Sequence, residues 1–158
     1  MKRFFALAII LAALAGVSSA QTVGPAIQEL KAGKKPVKGE FVFRNDGLQP
    51  LTVVVEPLSF SLDATGKPTF RPLDSSVHIR LSEMSARVGA RQVHAFAFEA
   101  LCDSPTCAFS IYSTVTGQKT SNGIQIALHL PSTTYLCKDS AKGCRARVRR
   151  DFGVIEAK

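Results

Sequence analysis

The chain has 158 residues, a formal charge of +8 and a pI near 9.6. That length suits one domain and is long enough for a real core. The basic balance favours anionic glycans, lipid headgroups or nucleic acid as contacts, and the secreted location read from the N-terminus makes nucleic acid the least apt of these.

Residues 1–20 read as a removable leader. Lys2 and Arg3 precede an apolar run over residues 4–17, and Ser18 and Ala20 supply the small residues of a cleavage site, the pattern of a secretory signal peptide. The run is shorter than the roughly 20 residues a membrane span needs. Cleavage is therefore expected rather than anchoring, and no other segment is long and apolar enough to cross a bilayer.

The segment 23–30 is a first strand or irregular entry, interrupted by Gly24 and Pro25, and 31–35 is a basic turn around Gly33. Over residues 37–44 the pattern alternates: Val37, Gly39, Phe41 and Phe43 share one face, Lys38, Glu40 and Arg44 the other. Such alternation marks a half-buried strand. Asn45, Asp46 and Gly47 follow as a turn, because Asn and Gly tolerate positive φ. Leu51, Val53 and Val55 face inward on the next strand. At Pro57 the phase changes, and Leu58, Phe60 and Leu62 carry the apolar face. A one-residue slip exchanges faces, so Pro57 is expected to mark a bulge or a strand passing between sheets.

Residues 63–68 form a Gly- and Pro-containing turn, with Asp63 and the earlier Asp46 as turn formers. Val77, Ile79 and Leu81 alternate with His78 and Arg80. A polar turn around Gly89 is expected over 85–91, then a strand over 92–101 with Phe96 and Phe98 on one face. Phe109, Ile111, Ser113 and Val115 alternate next, and 117–123 is a polar loop. The last main strand is 124–130, where Ile124, Ile126, Leu128 and Leu130 alternate with Gln125, Ala127 and His129, bounded by Gly123 and Pro131.

About seven strands with turn signals near every ten residues predict an all-β, immunoglobulin-like sandwich. The expected division is a signal peptide over 1–20, the sandwich over 21–136 and a basic extension with a small disulfide loop over 137–158. Core positions include Phe41, Phe43, Val53 and Ile111.

Four cysteines, Cys102, Cys107, Cys137 and Cys144, form an even set in an oxidising compartment, so disulfides are the default. Three connectivities are possible. The local pairs Cys102–Cys107 and Cys137–Cys144 are preferred, since each brackets turn formers. Loops this short contribute only about 2 kcal/mol each by chain entropy. A zinc site is the rival, against spacings wider than the usual knuckle. In the tail, Arg145, Arg147, Arg149 and Arg150 form a basic patch. It reads either as a solvated edge whose charges resist aggregation or as a docking patch for an anionic partner.

A catalytic constellation is not found. His78, His94 and His129 share no i, i+2 or i, i+4 spacing, and no nucleophile elbow, zinc-protease helix, phosphate loop or CxxC pair is present. No enzyme activity, cofactor or metal is expected.

Three stretches resemble the N-terminal domain of periplasmic pilus-assembly chaperones. The first is Phe41, Val42, Phe43, Arg44, Asn45, Asp46 and Gly47, followed by Pro50 and Leu51; it looks like the family's second strand, Asn-containing turn and third strand. The second is Val88, Gly89, Ala90 and Arg91, where the family carries a Pro-Gly turn and this chain has Val for Pro. The third is Gly123, Ile124, Gln125, Ile126, Ala127 and Leu128, similar to the strand that completes a pilus subunit's unfinished immunoglobulin fold. The resemblance implies a secreted, periplasmic or extracellular binding module. It would pair by β-strand addition with a secreted protein or pilus subunit through Ile124, Ile126, Leu128 and Leu130. The bland alternative is that these four fill the protein's own core. At the function level, the alternative is a structural or cell-surface assembly protein using the same sandwich. The chain departs from the family in three respects. The basic residues that anchor a subunit's terminal carboxylate align with Gln28 and Thr133, with Lys31 or Lys34 as substitutes. The residues after Leu136 are too few for the family's second domain. The cysteines lie outside its pattern.

Overall fold

The computed structural model describes residues 21–63, 65, 67–119, 125–138 and 144. Its strands are β1 (Gln21–Gly24), β2 (Ile27–Lys31), β3 (Val37–Asn45), β4 (Leu51–Leu62), β5 (Pro68–Arg71), β6 (Val77–Leu81), β7 (Ser85–Val88), β8 (Val93–Cys102), β9 (Thr106–Lys119) and β10 (Gln125–Cys137). They make two sheets: a four-stranded one in the order β1-β3-β8-β6, and a six-stranded one in the order β2-β10-β9-β4-β5, with β7 also on β4. The architecture is an all-β, immunoglobulin-like sandwich.

The alternating residues of both sheets meet in one core. Phe41, Phe43, Val53, Val55, Phe96, Phe109 and Ile111 are fully buried. Phe41 stacks on Phe96 with centroids 5.1 Å apart, and Phe98 meets Phe109 edge-on at 5.7 Å. Gly39 lies opposite Phe98 in the β3–β8 register. A Cβ there would come within 2.3 Å of the Phe98 ring and 2.9 Å of Leu30, so the missing side chain is what lets this ring lie across β3.

The entry segment is divided between the sheets. β1 pairs antiparallel with β3, and β2 pairs parallel with β10. The chain crosses at Gly24 and Pro25, joined by a cis peptide bond. Pro25 has no N–H to give to either ladder.

Asn45 joins two turns. It is fully buried, and its amide donates to the carbonyls of Gln49 (2.8 Å), Val88 (3.3 Å) and Gly89 (2.9 Å) while its Oδ1 accepts from Gly47 N–H at 3.0 Å. Its contribution is this side-chain network and not a left-handed backbone. Among the described non-glycine residues the positive φ belongs to Arg91, at 59°, in the turn between β7 and β8.

The expected break at Pro57 is absent. The β4–β9 ladder runs without a shift from Thr52–Thr116 through Pro57–Ile111 to Leu58–Ser110, and Leu51, Val53, Val55 and Ser59 keep one inward parity. What changes is the edge partner. β7 pairs with Leu51 to Val54 and β5 with Ser59 to Leu62. Val55 N–H donates to Met84 O on that side. Backbone groups alternate sides along a strand, so Pro57's nitrogen faces the gap between β7 and β5, where no ladder bond is lost. The apolar residues after Pro57 lie on the sheet's outer face. There Phe60 and Ala108 pack with Tyr135, Cys137 and Cys144 in a second small cluster.

Two other readings are corrected. Residues 85–88 are strand β7 rather than turn, with Val88 buried; four residues are too few for alternation to register. β10 runs through Pro131 to Cys137 instead of ending near Leu130. Asp63 does form its turn, accepting from Thr65 N–H at 2.8 Å and Lys67 N–H at 2.9 Å. Disulfides join Cys102 to Cys107 and Cys137 to Cys144.

Two stability measurements follow. Phe43→Ala opens a cavity in the closed core and costs about 3–5 kcal/mol; a melting temperature equal to the parent's contradicts the assignment. Pro57→Ala, at a position without a ladder bond, changes stability by no more than about 1 kcal/mol; a larger gain would mean that the proline does displace a bond.

Candidate strand-addition site

β10 carries three of the four predicted donor residues, Ile126, Leu128 and Leu130, and its two edges differ. One edge pairs with β9 along the whole strand, with a bulge between Ile126 and Leu128. The other pairs with β2 only from Thr133–Ile27 to Cys137–Lys31. Among the described residues, nothing pairs with that edge over 125–132. The vacancy follows from the chain crossing at Gly24 and Pro25: a straight entry strand would have run alongside it, but β1 lies on the other sheet.

The orientation of the backbone groups follows from one bond. Thr133 N–H donates to Ala26 O at 2.9 Å, away from β9. By alternation the N–H and C=O of His129 also point away from β9, while those of Leu128 and Leu130, paired with Val115 and Ser113, serve the β9 ladder. Pro131 shares the outward parity, and its missing N–H would have faced the open edge. This is why β10 continues through a proline.

Exposure rises along the strand. On the inward face Leu136, Thr134 and Ser132 are buried, Leu130 is half-buried against the core, and Leu128 is 37% exposed. Leu130 therefore serves the core, whereas Leu128 stands where the sandwich no longer covers it. The side chain of Ile126 and all of Ile124 lie outside the described residues, as do Arg145, Arg147, Arg149 and Arg150.

The outer face beside the open edge is aromatic. His129 Nδ1 lies 3.1 Å from Thr114 Oγ1. The Tyr112 ring is 5.8 Å from His129 and 4.4 Å from Phe70, measured between centroids. Phe60 continues the row at 6.3 Å from Phe70, and Tyr135 lies 6.5 Å beyond it. Burial pushes the Tyr112 phenol above its usual pKa. Sequence reasoning missed this row because its members come from β4, β5, β9 and β10 and belong to no single alternating run.

The aligned anchor positions do not form a clamp. Gln28 faces the interior and donates to Glu40 O on the opposite sheet at 3.4 Å. Thr133 has the parity of Tyr135 and Cys137 and lies on the outer face. Lys31 has the outward parity of β2, and Lys34 is exposed in the turn that follows.

The histidines serve separate local contacts. His78 Nε2 lies 2.8 Å from Asp103 Oδ2 and His94 Nε2 lies 2.7 Å from Glu83 Oε1. Among the described residues no three His, Cys, Asp or Glu side chains converge on a metal position. No helix among them is long and apolar enough to cross a membrane. A groove of about 330 Å³ on the four-stranded sheet is lined by Lys38, Arg80, Ser82 and Glu99, and its Ser82 hydroxyl accepts from Ala97 N–H at 3.3 Å.

No protein-family model matches the sequence, and no curated protein matches it. Solved structures do match in shape. The class 5 fimbriae chaperone CfaA superposes with a TM-score of 0.56 at 7% identity, over 76% of this chain and 57% of that one. A chain of the CsuC–CsuE chaperone–tip adhesion subunit complex of Acinetobacter baumannii gives 0.52 at 13%, over 83% and 65%. A chain of the Salmonella enterica complex of SafA pilin with the SafB chaperone gives 0.52 at 10%, over 78% and 57%. The chain spans less than two thirds of the length of each. At these identities the likeness is one of fold: this chain has the immunoglobulin-like fold of pilus-chaperone domains.

Proposed function

We propose that this protein is a non-enzymatic, extracytoplasmic binding module that captures an extended segment of a secreted protein or pilus subunit by β-strand addition. The observation that carries this reading is the edge of β10 over 125–132, which no described residue pairs with, beside the lane that the entry strand leaves. An edge of this kind offers N–H and C=O groups to an extended chain, which supplies affinity, while alternate side chains set register and identity. Ile124, Ile126, Leu128 and Leu130 have the spacing to do so, and Leu128 is exposed on the relevant face. The chaperone-like fold and the two disulfides support the reading and a periplasmic or extracellular location after removal of residues 1–20.

The open edge also differs from a pairing surface that merely lacks a neighbour. Unpaired edges invite aggregation and are usually blunted. Here Pro131 stops the edge at the point where β2 takes over, so the free stretch is short and bounded.

The test uses the same device. His129→Pro removes an outward N–H and puts a ring into the lane without taking a bond from the β9 ladder. The expected result is loss of the chain that the parent protein captures from periplasm, with melting lowered by no more than about 5 °C. Leu128→Ala weakens the same capture severalfold to about a hundredfold through lost burial. Undiminished capture by His129→Pro refutes strand addition at this edge.

A further inference from the structure

The open edge lies between two unlike faces, and only the inward one belongs to the aliphatic donor pattern. We propose that the outer face beside this edge is a specificity subsite formed by His129 and Pro131 and backed by Tyr112, and that it selects a segment carrying an aromatic side chain opposite His129. This rests on the strand-addition reading above and goes further, because it assigns the partner a second recognition element.

The placement follows from the ladder. A strand added to β10 has side chains alternating between the two faces. Those on one face meet Leu128 and Leu130, and those on the other meet Ala127, His129 and Pro131. On that outer face Ala127, His129 and Pro131 are all exposed. Behind them Tyr112 sits directly opposite Pro131 in the β9 register, and Thr114 sits opposite His129. Thr114 Oγ1 lies 3.1 Å from His129 Nδ1, a contact that ties the imidazole to β9. The Tyr112 ring, 5.8 Å from the imidazole and 4.4 Å from Phe70, backs this surface with further aromatic area.

Directly opposed side chains across a strand pair are about 4.5–5.5 Å apart at Cβ, and diagonal ones about 7–8 Å, within reach of aromatic rings. A ring opposite His129 therefore reaches the imidazole directly and Pro131 diagonally. An aliphatic side chain there covers less of the platform, and a charged one faces apolar ring surfaces. The segment expected is one that alternates aliphatic residues on its inner face with an aromatic residue on its outer face.

The test uses two synthetic nine-residue peptides with valine on one face and threonine on the other. In one the central threonine is replaced by tyrosine, in the other by alanine. The valine face fixes which side turns toward Leu128 and Leu130. The parent protein is expected to bind the tyrosine peptide about fivefold more tightly, the upper end of the gain from an aromatic cross-strand pair. In His129→Ala the two peptides bind within about twofold of each other. Equal binding of both peptides by the parent overturns the subsite alone, as does a preference for tyrosine that survives His129→Ala. If the parent binds neither peptide, strand addition at this edge fails and the subsite fails with it.

Discussion

The constraint on which this structure turns is that a β-strand has two edges, and each is paired with a neighbour or left open. The outermost strands of each sheet leave one edge open, as in any sandwich, but β10 is an inner strand of the six-stranded sheet. Among the described residues it still has no partner on its β2 side from residue 125 to 132, because β1 and β2 are split between sheets. The split is local: the β1–β3 ladder ends at Gly24 and the β2–β10 ladder begins at Ile27. Residues 21–31 thus determine what the described part of the last strand leaves exposed. A secondary-structure element and a candidate interface have the same cause.

The rest of the fold holds that edge in place. The core packs Phe41, Phe96, Phe98 and Phe109 between the sheets, and Asn45 ties the β3–β4 turn to the β7–β8 turn through buried hydrogen bonds. Unsatisfied carbonyls at those buried turns would each cost about 1–3 kcal/mol. The lower half of β10 is held on both faces: Leu136 lies in the main core, and Tyr135 and Cys137 lie in the outer cluster with Cys144. The Cys137–Cys144 bridge belongs to this second cluster. The strand is therefore anchored at one end and increasingly exposed toward the other, as Leu128 shows.

Much of the sandwich was legible because its inner strands alternate strictly. Phe41, Phe43, Val53 and Ile111 were assigned to the core from parity alone, and all four are fully buried. Asn45 was legible as a turn residue but not as a hub, since its partners Val88 and Gly89 are more than forty positions away. β5 and β7 are four residues each, too short for a period to emerge. Pro57 and Pro131 misled for a shared physical reason. A proline disrupts a strand only if its nitrogen faces a partner, and which edge is paired is decided by tertiary structure. The outer apolar run Leu58, Phe60 and Leu62 looked like a register slip because a second cluster on the far side of a sheet leaves the same trace in sequence. At the candidate site, the donor alternation was visible from the start. The vacant lane and the aromatic row were not, since both are made by elements distant in the chain.

Amide hydrogen exchange of the isolated monomer, read residue by residue along β10 by NMR, tests the open edge most directly. The amides of Leu128 and Leu130, bonded to β9, should exchange slowly, and that of His129 should exchange at nearly the unprotected rate. Addition of a bound partner should then protect His129 specifically. Strong protection of His129 in the protein without partner would contradict the account, because another part of the chain would already occupy the lane.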